Sequence, residues 1–391
     1  MEDLAGKLEE SLIGDMRDPY PMFAVLRREQ PITLSRQWGK EMYTVFRHAD
    51  CERVLRDAET FSSRIVADTM GPSMGRTILE MDGKEHQRHR GLISVAFRPQ
   101  AIAAFCDSLV APTIHRLVDD FADAGEADLV ESVSHRLPIL VIGAMVGIRV
   151  ADTAQFMRWA DDVIAVPIAP ERGIAASRAL QAYLLPVVAE RRREPRDDLI
   201  SRLVTAEIDG ERLDDAEILG FLRLLLPAGA ETTFRLLGNV LFALLSHPGQ
   251  LDEVRADRTL LDAALDETLR WEAPLLFTAR ETTRETELCG TRLPPATAVT
   301  AAIGSANRDE TVHDDPDRFD LHRAHKESLS FGLGRYFCLG YHLGRLEVKI
   351  AVGALLDRLP GLRLVPGTDA HVHGLAFRSP TALPVRFERA R

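Results

Sequence analysis

Phe331-Gly332-Leu333-Gly334-Arg335-Tyr336-Phe337-Cys338-Leu339-Gly340 places two alternating glycines ahead of a cysteine, and the cysteine just ahead of a helical pattern that opens at Tyr341. Alternating glycines permit a tight turn through positive φ, a conformation other residues reach only under strain. A sulfur at the foot of a helix faces backbone N–H groups without intrahelical acceptors and the positive end of the helix dipole. Both favour the anion, so the spacing predicts a lowered thiol pKa at Cys338. A lone cysteine is more often a small buried hydrophobe. The turn before this one and the helix after it set it apart.

The rest of the chain narrows the class. It has 391 residues, 46% hydrophobic and 27% charged, an ordinary globular composition. The net charge of −11 disfavours nucleic acid and anionic membrane as partners. Cys51, Cys106, Cys289 and Cys338 lie far apart with no CxxC pair, which fits neither a disulfide framework nor a structural zinc site and suits a reducing compartment. The acidic N-terminus lacks the apolar core of a signal peptide. The longest uncharged apolar run, 137–148, is shorter than the roughly 20 residues a bilayer span needs. These features predict a cytoplasmic protein with no membrane or nucleic-acid partner, and the lack of an exposed heptad or obvious apolar interface predicts a monomer.

No repeat, low-complexity tract or Gly/Ser linker divides the chain, so 1–391 is expected as one domain. Its β-richer portions are 31–46, 275–303 and the C-terminal strands; its helical bulk is 49–271 and 339–359. The fold class is therefore mainly α with a smaller β region. Expected elements are a hairpin at 31–34 and 42–46, helices at 49–57, 85–97 and 251–271, and strands at 276–283, 287–289 and 296–303. A last long helix follows at 339–359, and Val385 and Phe387 alternate with charged residues in a terminal strand.

The longest helical pattern runs from 216 to 246, capped by Asp214/Asp215 and stopped by Pro248. It is apolar nearly all round between 221 and 238, so it should cross the interior. At its middle stands Ala228-Gly229-Ala230-Glu231-Thr232-Thr233, a run of poor helix formers. Thr232 can bond back to the Ala228 carbonyl, and Pro227 removes another ladder bond. The expected result is a distorted groove with room for a diatomic molecule and water.

Taken together these segments are specific. A cysteine sulfur kept anionic is a good axial ligand for haem iron, and Phe-Gly-x-Gly-x-x-x-Cys-x-Gly resembles the haem-binding loop of the cytochrome P-450 superfamily, the haem-thiolate monooxygenases. The resemblance extends over the whole chain. It implies that fold, with the long helix and the cysteine loop sandwiching haem b (iron protoporphyrin IX), O2 as cosubstrate and Cys338 as the iron ligand. Phe331, Gly332 and Gly340 would shape the loop around the ring, with Ala228 and Gly229 on the opposite side. Glu231 and Thr232 match the acid–alcohol pair that relays protons to dioxygen so that the O–O bond breaks heterolytically. His86 and Arg90, i and i+4 on one helix, match the propionate pair, and Arg280 matches a third propionate ligand. The family usually has His or Arg where Tyr336 stands. Either Tyr336 donates one neutral hydrogen bond to a propionate, or Arg335 takes over, or other partners serve. Glu267 and Arg270, with Arg318 in the later Asp-Pro-Asp-Arg-Phe segment, match a structural Glu-Arg-Arg network.

By the same resemblance a substrate pocket would be lined by the 63–80 loop, residues 163–169, Leu224 and Leu225, Leu275, Leu276 and Phe277, and Leu375, Ala376 and Phe377. Most are apolar, which predicts a hydrophobic small-molecule substrate; Arg64, Asp68 and Arg76 leave a polar handle open. With no flavin or iron–sulfur motif, electrons would come from an external ferredoxin and ferredoxin reductase, docking on a basic face formed by Arg88, Arg98, Arg335, Arg345 and Lys349. Two other readings are a peroxide-driven peroxygenase and a catalytically silent haem protein that recruits a biosynthetic partner. The intact Glu231-Thr232 pair argues against both.

Overall fold

The computed structural model describes residues 16–37, 40–94, 97–148, 153–166, 169–208 and 210–389; the N-terminal ten residues read above lie outside these. In chain order, α1 (Tyr20–Glu29) leads into the hairpin β1 (Ile32–Gln37) and β2 (Lys40–Val45), then α2 (His48–Arg56) and the short β3 (Phe61–Ser62). The helical bulk follows as α3 (Gly83–Ser94), α4 (Arg136–Val146), α5 (Thr153–Ile164), α6 (Pro170–Arg193), α7 (Asp215–Ser246), α8 (Pro248–Ala256) and α9 (Leu261–Trp271). Strands β4 (Phe277–Thr282) and β5 (Ala298–Ala302) close the sheet, and α10 (Tyr341–Arg358) is the last long helix. The five-stranded sheet has the order β1-β2-β5-β4-β3, with β5 parallel to β2 and the other pairs antiparallel.

The long helix forms where the pattern placed it. Asp214 accepts from the Glu217 backbone N–H at 2.8 Å while the Glu217 carboxylate accepts from the Asp214 N–H at 2.9 Å, a reciprocal cap that satisfies two orphan donors. Around this axis α4, α5, α6, α9 and α10 pack, and the main core gathers Leu222, Leu226, Phe234, Leu237 and Leu241 from α7 itself. The run Gly83–Asp119 has the length and apolar composition of a membrane span. In the fold its Ile93, Phe97, Ile102, Val110 and Ile114 enter the main core.

Most expected ends shift by one or two residues, the terminal strand being Pro384–Arg386 and leaving Phe387 outside it, and two expected helices change more. The helix expected over 251–271 is two helices, because Asp257 accepts from the Thr259 N–H at 2.9 Å and so competes with the helical ladder. The helix expected over 85–97 is α3, ending at Ser94; residues 95–96 lie outside the described residues.

Candidate active site

The cysteine loop is built as the two glycines require. Gly332 and Gly334 adopt φ of 68° and 66°, the turn returns the Cys338 N–H to the Phe331 carbonyl at 2.9 Å, and Gly340 caps α10. Cys338 is half-buried, and its sulfur accepts from the backbone N–H groups of Gly340 and Tyr341. Arg90 bridges from α3 to the loop, its Nη2 donating to the Phe337 carbonyl at 2.6 Å, and its charge also favours the thiolate. Burial is nevertheless the largest influence and raises the thiol pKa. The lowered value expected from the helix terminus is thus not produced by the protein's own groups; a metal cation at the sulfur is what deprotonates such a thiol outright. Phe331 packs edge-on against Tyr341 at 4.9 Å, bracing the loop.

Beside the sulfur lies a cradle of partly unsatisfied donors. His86 is buried with no partner for Nδ1 among the described residues, and Arg280, on β4, is buried with none for Nε. Burial first, then Arg90, lowers the His86 pKa, and burial pulls Arg280 down to about 10. Tyr336 sits between them, its ring 5.2 Å from that of His86 and 4.9 Å from the Arg280 guanidinium. Arg335 turns away and pairs with Glu59. Of the two candidates it is Tyr336 that stands in the cradle, but its hydroxyl donates to Asp82, which also accepts from Ser62 Oγ. A buried imidazole nitrogen and a buried guanidinium Nε without partners among the described residues fit a ligand that brings its own carboxylates, as haem does, since burying those anions unpaired would cost several kcal/mol.

Across the site, the middle of α7 is open. Ala228 is exposed and Gly229 and Thr232 half-buried, in a helix otherwise packed into the core. Thr232 Oγ1 donates to the Ala228 carbonyl at 2.8 Å, as the sequence predicts. Gly229 serves packing: a Cβ there would lie 3.1 Å from Ile142 of α4. Glu231 is 1% exposed. Its Oε2 accepts from Arg235 Nε and Nη2 at 3.1 and 2.8 Å. Among the described residues no N–H or hydroxyl reaches its Oε1. Burial, then Asp161, pushes the Glu231 pKa up to about 8 against the pull of Arg235.

The structural network forms with one correction. Glu267 accepts from Arg270 Nε and Nη2, each at 2.8 Å, but the third member is Arg323, whose Nε reaches Glu267 Oε1 at 3.0 Å. The Arg318 side chain is 66% exposed, and only its backbone carbonyl takes part, accepting from Arg270 and Arg323. The loop preceding Arg323 passes through Asp315 at positive φ, which turns successive carbonyls toward the guanidinium groups and carries the Arg318 side chain outward. A second buried cluster had no motif to reveal it: Glu272 Oε1 accepts from Arg378 Nε and from the Tyr20 hydroxyl, both at 2.6 Å, tying the two ends of the chain together.

The expected pocket residues divide. Leu224, one turn before Ala228, joins Met70, Met74, Trp159, Val163 and Ala176 in an apolar cluster. Leu225 turns into the main core, and Leu276, Phe277 and Leu375 pack around Phe23 and Phe46 away from that cluster. Leu275, Ala376 and Phe377 stay partly open, with Leu275 bridged to Phe377. Residues 167–168 of the expected 163–169 wall lie outside the described residues. Asp68 and Arg76 are paired with Lys40 and Glu85.

Comparison with known proteins agrees with this geometry. The Cytochrome P450 family model matches residues 152–360. The chain is 36% identical to cytochrome P450 monooxygenase PikC of Streptomyces venezuelae, covering 96% of this chain and 92% of that protein. It is 38% identical to erythromycin C-12 hydroxylase of Saccharopolyspora erythraea, covering 92% and 90%. Among solved structures, cytochrome P450 CYP109Q5 from Chondromyces apiculatus superposes with a TM-score of 0.87 at 38% identity, over 97% of both chains. A thiol loop, a cradle of buried donors and an exposed turn in a continuous central helix, found together in a chain related to these enzymes, place it in the cytochrome P450 family as a monooxygenase.

Proposed function

We propose that this monooxygenase oxidises a hydrophobic small molecule, by hydroxylation or a related insertion of one oxygen atom of O2, with haem b held through Cys338 and electrons drawn from a ferredoxin and its reductase. The haem, when bound, supplies the redox chemistry that activates dioxygen. The protein's part is to position and protonate. His86 and Arg280 offer the unsatisfied donors for the propionates, with Arg90 adding positive charge. Glu231, mostly protonated at neutral pH, holds a proton one residue from the open turn at Ala228 and Thr232, and the Thr232 hydroxyl hands it toward the pocket. The single observation that carries the reading is this buried acid set beside the exposed turn of the central helix.

Substrate class rests on the Leu224 cluster, whose aliphatic, thioether and indole side chains offer burial rather than charge. A screen of sterols, terpenoids, fatty acids and macrolides (the last prompted by the erythromycin hydroxylase) reads the low- to high-spin absorption change of the purified holoenzyme. A shift with apolar members supports the proposal; shifts only with small charged compounds refute it.

Docking of an acidic ferredoxin meets a face less bare than the sequence suggests. Arg88, Arg335, Arg345 and Lys349 each pair with a carboxylate: Glu211, Glu59, Asp266 and Asp262. The partner must compete for these pairs. Arg335→Glu is expected to slow ferredoxin-driven turnover; unchanged rates would rule out this face.

A further inference from the structure

Arg223 lies on α7 directly before Leu224 and is half-buried. Among the described residues no carboxylate pairs with it. Its Nε donates to the Leu219 carbonyl at 3.3 Å, and its Nη1 is shared among the Ser73 carbonyl, Ser177 Oγ and Gln181 Oε1 at 3.4, 3.4 and 3.3 Å. Each contact is longer than the roughly 2.9–3.0 Å usual for N–H···O. Two of the acceptors are already engaged with each other, since Ser177 Oγ donates to the Ser73 carbonyl. Nη2 donates to no acceptor among the described residues. Burial alone lowers the Arg223 pKa, with no neighbouring charge to offset it. A guanidinium offers five N–H donors in a planar fork, and taking such a cation out of water without an anion is costly.

The acceptors also fix where the fork stands. Ser73 precedes Met74, Ser177 follows Ala176, and Met74, Ala176 and Leu224 all belong to the apolar cluster. The 74–76 turn passes close to α7: a Cβ on Gly220 would lie 2.8 Å from the Arg76 carbonyl. A Cβ on Gly75, itself at φ 69°, would lie 3.0 Å from Arg223 Nη2, so glycine there keeps any side chain off the fork. The charged candidates of the 63–80 loop are engaged elsewhere, Asp68 with Lys40, Arg76 with Glu85, and Arg64 near Asp82 and Glu281 at 4.0 and 3.9 Å.

We propose that Arg223 is a specificity residue that takes the carboxylate end of an otherwise apolar substrate whose body lies against the Leu224 cluster. The inference rests on the apolar-substrate reading above and narrows it. Two parallel bonds from a planar fork match the two oxygens of a carboxylate, which is ionised at neutral pH. The anion gives the guanidinium the counter-charge that the described residues do not supply, in exchange for long contacts to neutral acceptors. A methyl ester of the same acid keeps the apolar body but carries no charge, so it leaves the cation uncompensated.

The test is a spin-shift titration of the holoenzyme with octanoic, dodecanoic and hexadecanoic acids and a diterpene acid, each paired with its methyl ester. In the parent at least one acid is expected to bind about ten- to a hundredfold more tightly than its own ester, as for a hydrogen-bonded charge. Arg223→Gln, which keeps donors but not charge, is expected to remove that preference, and Arg223→Lys to keep part of it. Esters that bind as tightly as their acids in every parent pair, or a preference that survives Arg223→Gln, overturn the inference and leave the apolar-substrate reading intact. Shifts from none of these compounds overturn both. The parent comparison needs no substitution, so it decides the matter even if a variant fails to retain haem.

Discussion

Two arginines five residues apart give the sharpest test of how this fold retains its architecture. Arg323 donates to Glu267 Oε1 at 3.0 Å and to the carbonyls of Asp315 and Arg318 at 3.1 and 2.8 Å, and its side chain is largely buried. In Arg323→Ala, Glu267 keeps Arg270 and the Asp320 N–H at 3.0 Å, so its charge is not stranded. What is lost is one buried charge-assisted bond and the satisfaction of several carbonyls, which together place the cost at about 3 kcal/mol. At about 2.1 cal/mol/K per residue, a chain of 391 residues has an unfolding entropy near 0.8 kcal/mol/K, so the expected fall in Tm is about 4 °C. Arg318→Ala removes an exposed side chain whose nearest carboxylate is 3.8 Å away, and is expected to change stability by less than about 0.5 kcal/mol. Thermal unfolding of both holoproteins by far-UV circular dichroism measures the contrast. Equal effects, or a larger one at Arg318, would refute the assignment of Arg323 to the network.

Other predictions follow from the site. Thr232→Ala is expected to keep haem but to lower product per electron, with proton delivery slowed by about 10²–10⁴; fully coupled turnover there removes Thr232 from the relay. Arg280→Met is expected to speed haem transfer to an apoglobin acceptor by about ten- to a hundredfold, since a hydrogen bond to a buried charge contributes about 1.5–3 kcal/mol; unchanged transfer would mean Arg280 holds no propionate. Glu347, on α10, is fully buried, and burial alone pushes its pKa up to about 8. Its folded pKa lies above its unfolded one, so the folded state binds the extra proton and the stability this confers is full below about pH 4.5 and lost as pH rises toward 8. Measured by urea denaturation, Glu347→Gln is expected to grow more stable relative to the parent across that window; parallel profiles would show that the carboxyl is ionised throughout.

The chemistry was legible in the sequence because it depends on local geometry. A Gly-x-Gly turn fixes positive φ at Gly332 and Gly334, a helix start puts two amides on the Cys338 sulfur, and a threonine four residues after Ala228 bonds back to its carbonyl. Those relations span fewer than ten residues, and backbone sterics settle them before any tertiary contact forms. What the tertiary structure decided is which polar side chains meet across long sequence separations. Arg323 rather than Arg318 reaches Glu267 because the turn at Asp315 redirects the loop. Tyr336 rather than Arg335 enters the cradle because Glu59, far away in sequence, captures the arginine. The lowered thiol pKa failed for the same reason: a helix terminus is local, but burial is collective, and here burial outweighs it. Asp161 carries no motif at all. Only the packing of α5 against α7 sets it among the groups that raise the Glu231 pKa.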